Sequence, residues 1–277
     1  MDLDKEILTY FGLVEKPFRI SPDPRFLYFS DQVKEAFAKC EYMARERVGP
    51  VYMYGPIGSG KTSMMRRVYE HLSQDKRYKV ALLISPNLKS SNSFLRIIME
   101  SFEVKTERAY DQSLKNFEQF LFQQYSENKI PLLLVDEAQY MNRDTLKLLH
   151  YLLNFETNEV KLLQIVLAGQ EELSEKILRY RELASRMFPV AINSMSPTDL
   201  AEMIKFRWMV AGGQEKDVPF EETDHEAYKT LFAYSKGLPR DALKICDEVL
   251  RELKVSGKKK AAYTEIEQLA KELNLRT

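Results

Sequence analysis

The stretch Gly55-Pro-Ile-Gly-Ser-Gly-Lys-Thr62 decides the fold. It follows the apolar run Val51-Tyr-Met-Tyr54 and precedes Ser63-Met-Met-Arg-Arg-Val-Tyr-Glu70, whose pattern predicts a helix. A G-x-x-x-x-G-K-[ST] segment between a strand and a helix is a phosphate-binding loop rather than a glycine-rich turn with a chance lysine. Glycines let the backbone wrap so closely that its N–H groups face phosphate oxygens. The helix that follows adds the partial positive charge of its N-terminus. Gly55, Pro56, Ile57, Gly58, Ser59, Gly60 and Ser63 thus line a nucleotide, Lys61 reaches the β- and γ-phosphates, and the Thr62 hydroxyl is a ligand for Mg²⁺.

A second motif lies downstream. Ile130-Pro-Leu-Leu-Leu-Val-Asp-Glu137 is an apolar run ending in two carboxylates. It predicts a buried parallel strand whose C-terminal end meets the ligand. Asp136 is placed to hold Mg²⁺ and Glu137 to polarise the attacking water. Val160 to Ala168 predicts another strand. It ends at Gly169-Gln170, so that the Gln170 amide can sense the γ-phosphate or bond to a neighbouring loop. Further strands are expected at Lys79–Ile84 and Phe188–Asn193.

Composition sets the frame. The 277 residues are 44% hydrophobic and 30% charged, enough for a substantial core. Lys+Arg and Asp+Glu balance at 41 each, so global charge announces no nucleic-acid or membrane partner, although a local basic stripe would suffice for DNA. Cys40 and Cys246 form no metal-ligand pattern and read as small apolar residues in a reducing compartment. No apolar run approaches a membrane span, and the polar N-terminus does not read as a signal peptide. A cytoplasmic protein is expected.

Three segments are expected. Residues 1–30 form an aromatic, proline-rich arm that packs on the main domain, and Phe18, Phe26 or Leu27 can also help to cover the base. Residues 31–195 form an α/β nucleotide-binding domain. Residues 196–277 read as helices only, opening with Ser196-Pro197. Lys258-Lys-Lys260 reads as a solvated turn, with a phosphate contact as the alternative.

The phosphate loop, the acidic strand end, the polar strand end and the helical C-terminal piece together resemble the AAA+ ATPases. The similarity is to the ExeA-type group, which takes in transposon ATPases such as TniB and is related to TnsC. It rests on Tyr10-Phe-Gly-Leu13, Pro17-Phe18, Pro22-Asp-Pro24, Phe26-Leu-Tyr28, Gly55–Thr62, Val135-Asp-Glu-Ala-Gln139, the Leu152–Glu156 block, Lys161–Gln170 and Ser235-Lys-Gly-Leu-Pro-Arg240.

The resemblance implies a P-loop parallel-sheet domain with a C-terminal helical lid, assembling as a homo-oligomeric ring or helical filament. It implies ATP and Mg²⁺ as cofactors and hydrolysis of ATP to ADP and phosphate. Gln170 matches sensor 1, and Arg240 matches sensor 2. Arg186 is the choice for the arginine given to the next subunit, with Arg181 and Arg179 as rivals.

ExeA-type secretion ATPases continue into a membrane span, whereas this sequence ends at Thr277. It is therefore expected to resemble the short members that bind duplex DNA and regulate a transposase or another mobile-element protein. Lys89, Lys105 and Arg108 are the loop cations that can face DNA. A secretion motor and a non-hydrolysing, ATP-gated scaffold are the competing readings, and the intact Glu137 speaks against the scaffold.

Overall fold

A computed structural model describes residues 3–84, 90–220 and 226–275. The five strands are β1 (Val51–Tyr54), β2 (Tyr78–Leu83), β3 (Ile130–Val135), β4 (Gln164–Gly169) and β5 (Phe188–Ala191). They form one sheet in the order β2-β3-β4-β1-β5, and every neighbouring pair is parallel. Parallel pairing requires crossover connections, here largely helical. The helices are α1 (Leu3–Phe11), α2 (Asp31–Arg45), α3 (Lys61–Ser73), α4 (Ser91–Ser101), α5 (Tyr110–Ser126) and α6 (Arg143–Leu152). They continue as α7 (Glu171–Arg179), α8 (Arg181–Ala184), α9 (Pro197–Val210), α10 (Glu226–Ser235), α11 (Pro239–Ser256) and α12 (Tyr263–Glu272).

The chain divides into two compact units. The α/β unit comprises Asp31–Pro56 and Lys61–Ile192, and the helical unit comprises Met1–Ser30, Ile57–Gly60 and Asn193–Thr277.

In the α/β unit, β3 and β4 are buried along their whole length. This is why their sequences are continuous apolar runs rather than alternating ones. β4 starts at Gln164, later than the apolar run suggests, because Lys161 instead forms an isolated antiparallel bridge with Glu156. α4 is capped by Ser90, whose hydroxyl accepts the Ser93 N–H at 3.2 Å, and α6 by Asn142, which accepts the Thr145 N–H at 2.9 Å. α5 begins at Tyr110, inside a polar stretch that reads as loop.

In the helical unit, Ser196 caps α9 by accepting the Asp199 N–H at 3.0 Å, with Pro197 in the first turn. Phe18, Phe26, Trp208 and Phe220 are fully buried in one core with the inner faces of α9 and α11. The Phe18 ring stacks on Trp208 with centroids 6.2 Å apart. The prolines at 17, 22 and 24 do break the helix pattern, but α1 forms ahead of them. Arg207 fixes the arm: its guanidinium donates to the carbonyl oxygens of Pro17 (2.9 Å), Phe26 (3.1 Å) and Arg19 (2.7 Å). Burial pushes Arg207 down to about 10, which still leaves it protonated at neutral pH. No helix among the described residues is long and apolar enough to cross a membrane.

Candidate nucleotide site

The phosphate loop leaves β1 at Gly55. A β-carbon there would stand 2.1 Å from the Ile192 carbonyl oxygen, so only glycine lets the loop depart beside the end of β5. Gly58 and Gly60 have φ of 84° and 99°, left-handed values that side-chain-bearing residues resist. The loop ends in the first turn of α3, which contains Lys61, Thr62 and Ser63. The Lys61 ammonium donates to the carbonyl oxygens of Gly55 at 2.9 Å and Pro56 at 2.8 Å.

β3 delivers the carboxylates. Asp136 is buried, and its N–H donates to the Leu83 carbonyl oxygen at 2.9 Å, continuing the β2–β3 pairing past the strand. Burial pushes its carboxyl upward, opposed by hydrogen bonds from the Thr62 hydroxyl and the Glu137 N–H and by the Lys61 charge. The Glu137 N–H reaches Asp136 Oδ1 at 3.0 Å. Glu137 itself is left-handed, with φ 55° and ψ 33°, a conformation that costs a non-glycine residue about 1 kcal/mol or more. The turn sends the chain from β3 into a 3-10 turn, Ala138–Tyr140. A buried carboxylate beside a hydroxyl supplies oxygen donors of the kind that Mg²⁺ takes. Thr62 and Asp136 therefore fit the ion.

The structure also joins Gln139 to this group, a residue to which sequence reasoning assigned no role. It is buried, its Nε2 donates to Glu137 Oε2 at 2.5 Å, and its Oε1 accepts the Gln170 N–H at 3.1 Å. The only available signal was a glutamine two residues beyond Glu137 in the Asp-Glu-Ala-Gln block. Gln170 sits at the N-cap of α7 without a side-chain cap bond, so its backbone connects to Glu137 through Gln139.

Arg186 is half-buried, and its Nη1 donates to Asn154 Oδ1 at 2.5 Å. Arg179 pairs with Glu175 at 3.3 Å, and Arg181 opens α8. In the helical unit, Arg240 lies in the first turn of α11, and its N–H donates to the Gly58 carbonyl oxygen at 3.2 Å.

One expectation is corrected. Phe18, Phe26 and Leu27 are buried in protein, the two phenylalanines almost completely, and their rings cannot cover a base. Lys105 is exposed and pairs locally with Glu107 at 2.9 Å, which leaves the expectation that it can face DNA untouched. Lys258 and Lys259 are exposed, as a solvated turn requires, while Lys258 also pairs with Glu265 at 2.7 Å and the Lys259 ammonium stands 3.5 Å from the Tyr10 ring centroid. Lys89 lies outside the described residues.

Comparison with known proteins follows this geometry. A family model described as an AAA domain matches residues 44–177. The chain is 33% identical over 273 residues to general secretion pathway protein A of Aeromonas hydrophila. That match covers 96% of this chain and 48% of the relative, so the chain spans about half the relative's length. Among solved structures, it is similar to the Drosophila ORC bound to DNA, with TM-score 0.70 and 20% identity over 98% of this chain and 66% of that one. It is similar to the Aeropyrum pernix ORC2 protein, with TM-score 0.63 and 15% identity over 87% and 67% of the two chains. The Thermotoga maritima RuvB Holliday junction branch migration motor gives TM-score 0.59 and 19% identity over 89% and 70%. At these identities the solved structures establish the fold alone. The parallel sheet, the phosphate loop and the relatives together place the chain among the AAA+ ATPases of the ExeA type.

Proposed function

We propose that this protein binds and hydrolyses ATP as a homo-oligomer and that its ATP-bound assembly engages duplex DNA. The observation that carries the hydrolytic part is the meeting of the Thr62 hydroxyl, Asp136 and Glu137 at the end of β3, with Lys61 on the same loop. Lys61 exchanges the Gly55 and Pro56 carbonyls for phosphate oxygens. Thr62 and Asp136 would hold Mg²⁺, which when bound neutralises charge on the phosphates. Glu137 accepts a proton from the attacking water and orients it in line with the scissile bond. Gln170 stands for the sensor of the γ-phosphate, and Arg240 for the second contact made by the same subunit. Arg186 is the cation offered to a neighbouring subunit's ATP. Its present partner is the neutral Asn154, which it can leave without breaking an ion pair.

Duplex DNA and a transposase partner are proposed from the resemblance to the transposon ATPases of this group, with a cytoplasmic location. The second reading, a motor in envelope secretion, is favoured by the 33% identity to general secretion pathway protein A. Cosedimentation with duplex DNA, with and without ATP at two salt concentrations, separates them. ATP-dependent, salt-sensitive binding supports the DNA reading. No binding in either nucleotide state removes it and leaves the secretion reading.

A further inference from the structure

Glu137 is held in place by a side chain that the nucleotide motifs do not include. Gln139 has only 6% of its surface exposed, and both ends of its amide are committed. The donor end faces Glu137 Oε2 at 2.5 Å, and the acceptor end faces the Gln170 N–H at 3.1 Å. Gly169 is shaped around this amide, since a β-carbon there would stand 2.8 Å from Gln139 Oε1. The backbone of the turn is fixed as well. The Lys176 ammonium, on α7, donates to the carbonyl oxygens of Gln139 and Met141, the latter at 3.1 Å. The carboxylate thus hangs from a left-handed residue whose side chain is steered by an amide anchored at the end of β4.

We propose that Gln139 is a positioning residue for hydrolysis: its amide ties the Glu137 carboxylate to the backbone of Gln170, so that the aim of the base follows the position of the β4 end. This rests on the reading of Glu137 as the base. An amide can do this because it donates at one end and accepts at the other. A carboxylate in its place can accept but not donate. Displacing a reacting group by a fraction of a bond length is costly to rate and nearly neutral to binding when the group touches only the water.

The test uses the full chain and two variants. Gln139→Glu keeps an acceptor for the Gln170 N–H, and with it the turn, but puts an acceptor where Glu137 needs a donor. Gln139→Met loses both contacts. Phosphate release at varied ATP and pH, ATP affinity by nucleotide titration, and thermal unfolding are measured on each. The expected result for Gln139→Glu is cooperative unfolding and wild-type ATP affinity, with KM little changed. Its kcat should fall by about tenfold to a hundredfold at alkaline pH, where both carboxyls are ionised, and less at lower pH, where a shared proton restores a donor. Gln139→Met should lose at least as much. A Gln139→Glu variant with wild-type kcat at alkaline pH overturns the proposal, because the amide then serves only the turn. A loss of kcat in Gln139→Glu matched by lost ATP affinity or lost cooperative unfolding overturns it too. A wild-type chain that binds ATP and never releases phosphate contradicts the hydrolytic reading itself and removes the tether with it.

Discussion

The Lys61 ammonium donates to the Pro56 carbonyl oxygen at 2.8 Å, so the cation of the phosphate loop is folded back on the loop that carries it. Phosphate oxygens must replace Pro56 and Gly55 as its acceptors. Lys61→Ala should therefore weaken ATP binding by tenfold or more and abolish the thermal stabilisation that ATP gives the wild type. A ligand at a hundred times its Kd stabilises by about 2.7 kcal/mol, which a melting curve resolves easily.

Burial raises the Asp136 carboxyl above the usual carboxylate range, because it penalises the charged form. Its folded pKa is raised, so the folded state binds its proton more readily than the unfolded chain does. This group's contribution to stability is least favourable above the raised pKa and improves as pH falls through it. Asp136→Asn should make the nucleotide-free protein more stable at pH 7, by about 1 kcal/mol. That advantage should shrink toward acid pH, as the wild-type carboxyl becomes neutral. The same variant should lose Mg²⁺-dependent ATP binding. Denaturant curves at several pH values, with and without ATP and Mg²⁺, check both halves.

The glycine-rich loop between β1 and α3 and the acidic end of β3 were the legible parts of the sequence. Within each motif the residues are close along the chain, and their spacing is set by local backbone geometry, as at Gly58, Gly60 and the β3 end. The parallel sheet was legible for the same reason, since doubly buried strands read as apolar runs. What could not be read depends on partners far away in the chain. Phe18 and Phe26 read as aromatics of an arm packed on the α/β domain, and only Trp208 and Arg207 show that their core is that of the helical unit. Lys259 reads as one cation of a solvated triplet, and only the fold brings Tyr10 beneath it. Gln139 sits inside a motif, but its purpose shows only when β4 brings the Gln170 N–H to it.

Arg207 makes the N-terminal arm part of the helical core. Arg207→Met keeps the apolar stem but leaves the carbonyls of Pro17, Arg19 and Phe26 without their buried donor. We expect a loss of about 2–4 kcal/mol in unfolding free energy and early proteolysis within the first thirty residues. Arg207→Lys should rescue little, because one ammonium cannot reproduce a planar fork that serves three carbonyls. Denaturant unfolding and timed proteolysis measure these effects.

Arg186 can be assigned by mixing subunits. Arg186→Ala should keep ATP affinity and lose turnover by about a thousandfold, the scale expected of an arginine supplied in trans. Glu137→Gln subunits should also be inactive, yet a mixture of the two variants should recover part of the wild-type rate. In such a mixture, some sites combine an intact Glu137 with a neighbour's intact Arg186. Parallel mixtures with Arg179→Ala and Arg181→Ala decide among the three arginines.

The central claim is that the Asp136–Glu137 strand end hydrolyses ATP held by Lys61 and Thr62. Phosphate release by the wild type and Glu137→Gln, across a range of protein concentration and with ATP affinity measured on the same samples, tests it most directly. The account predicts equal affinity in the two proteins, wild-type turnover per subunit that rises as the protein assembles, and no turnover in the variant. Release that is the same in both proteins, or absent from the wild type at every concentration, would contradict it.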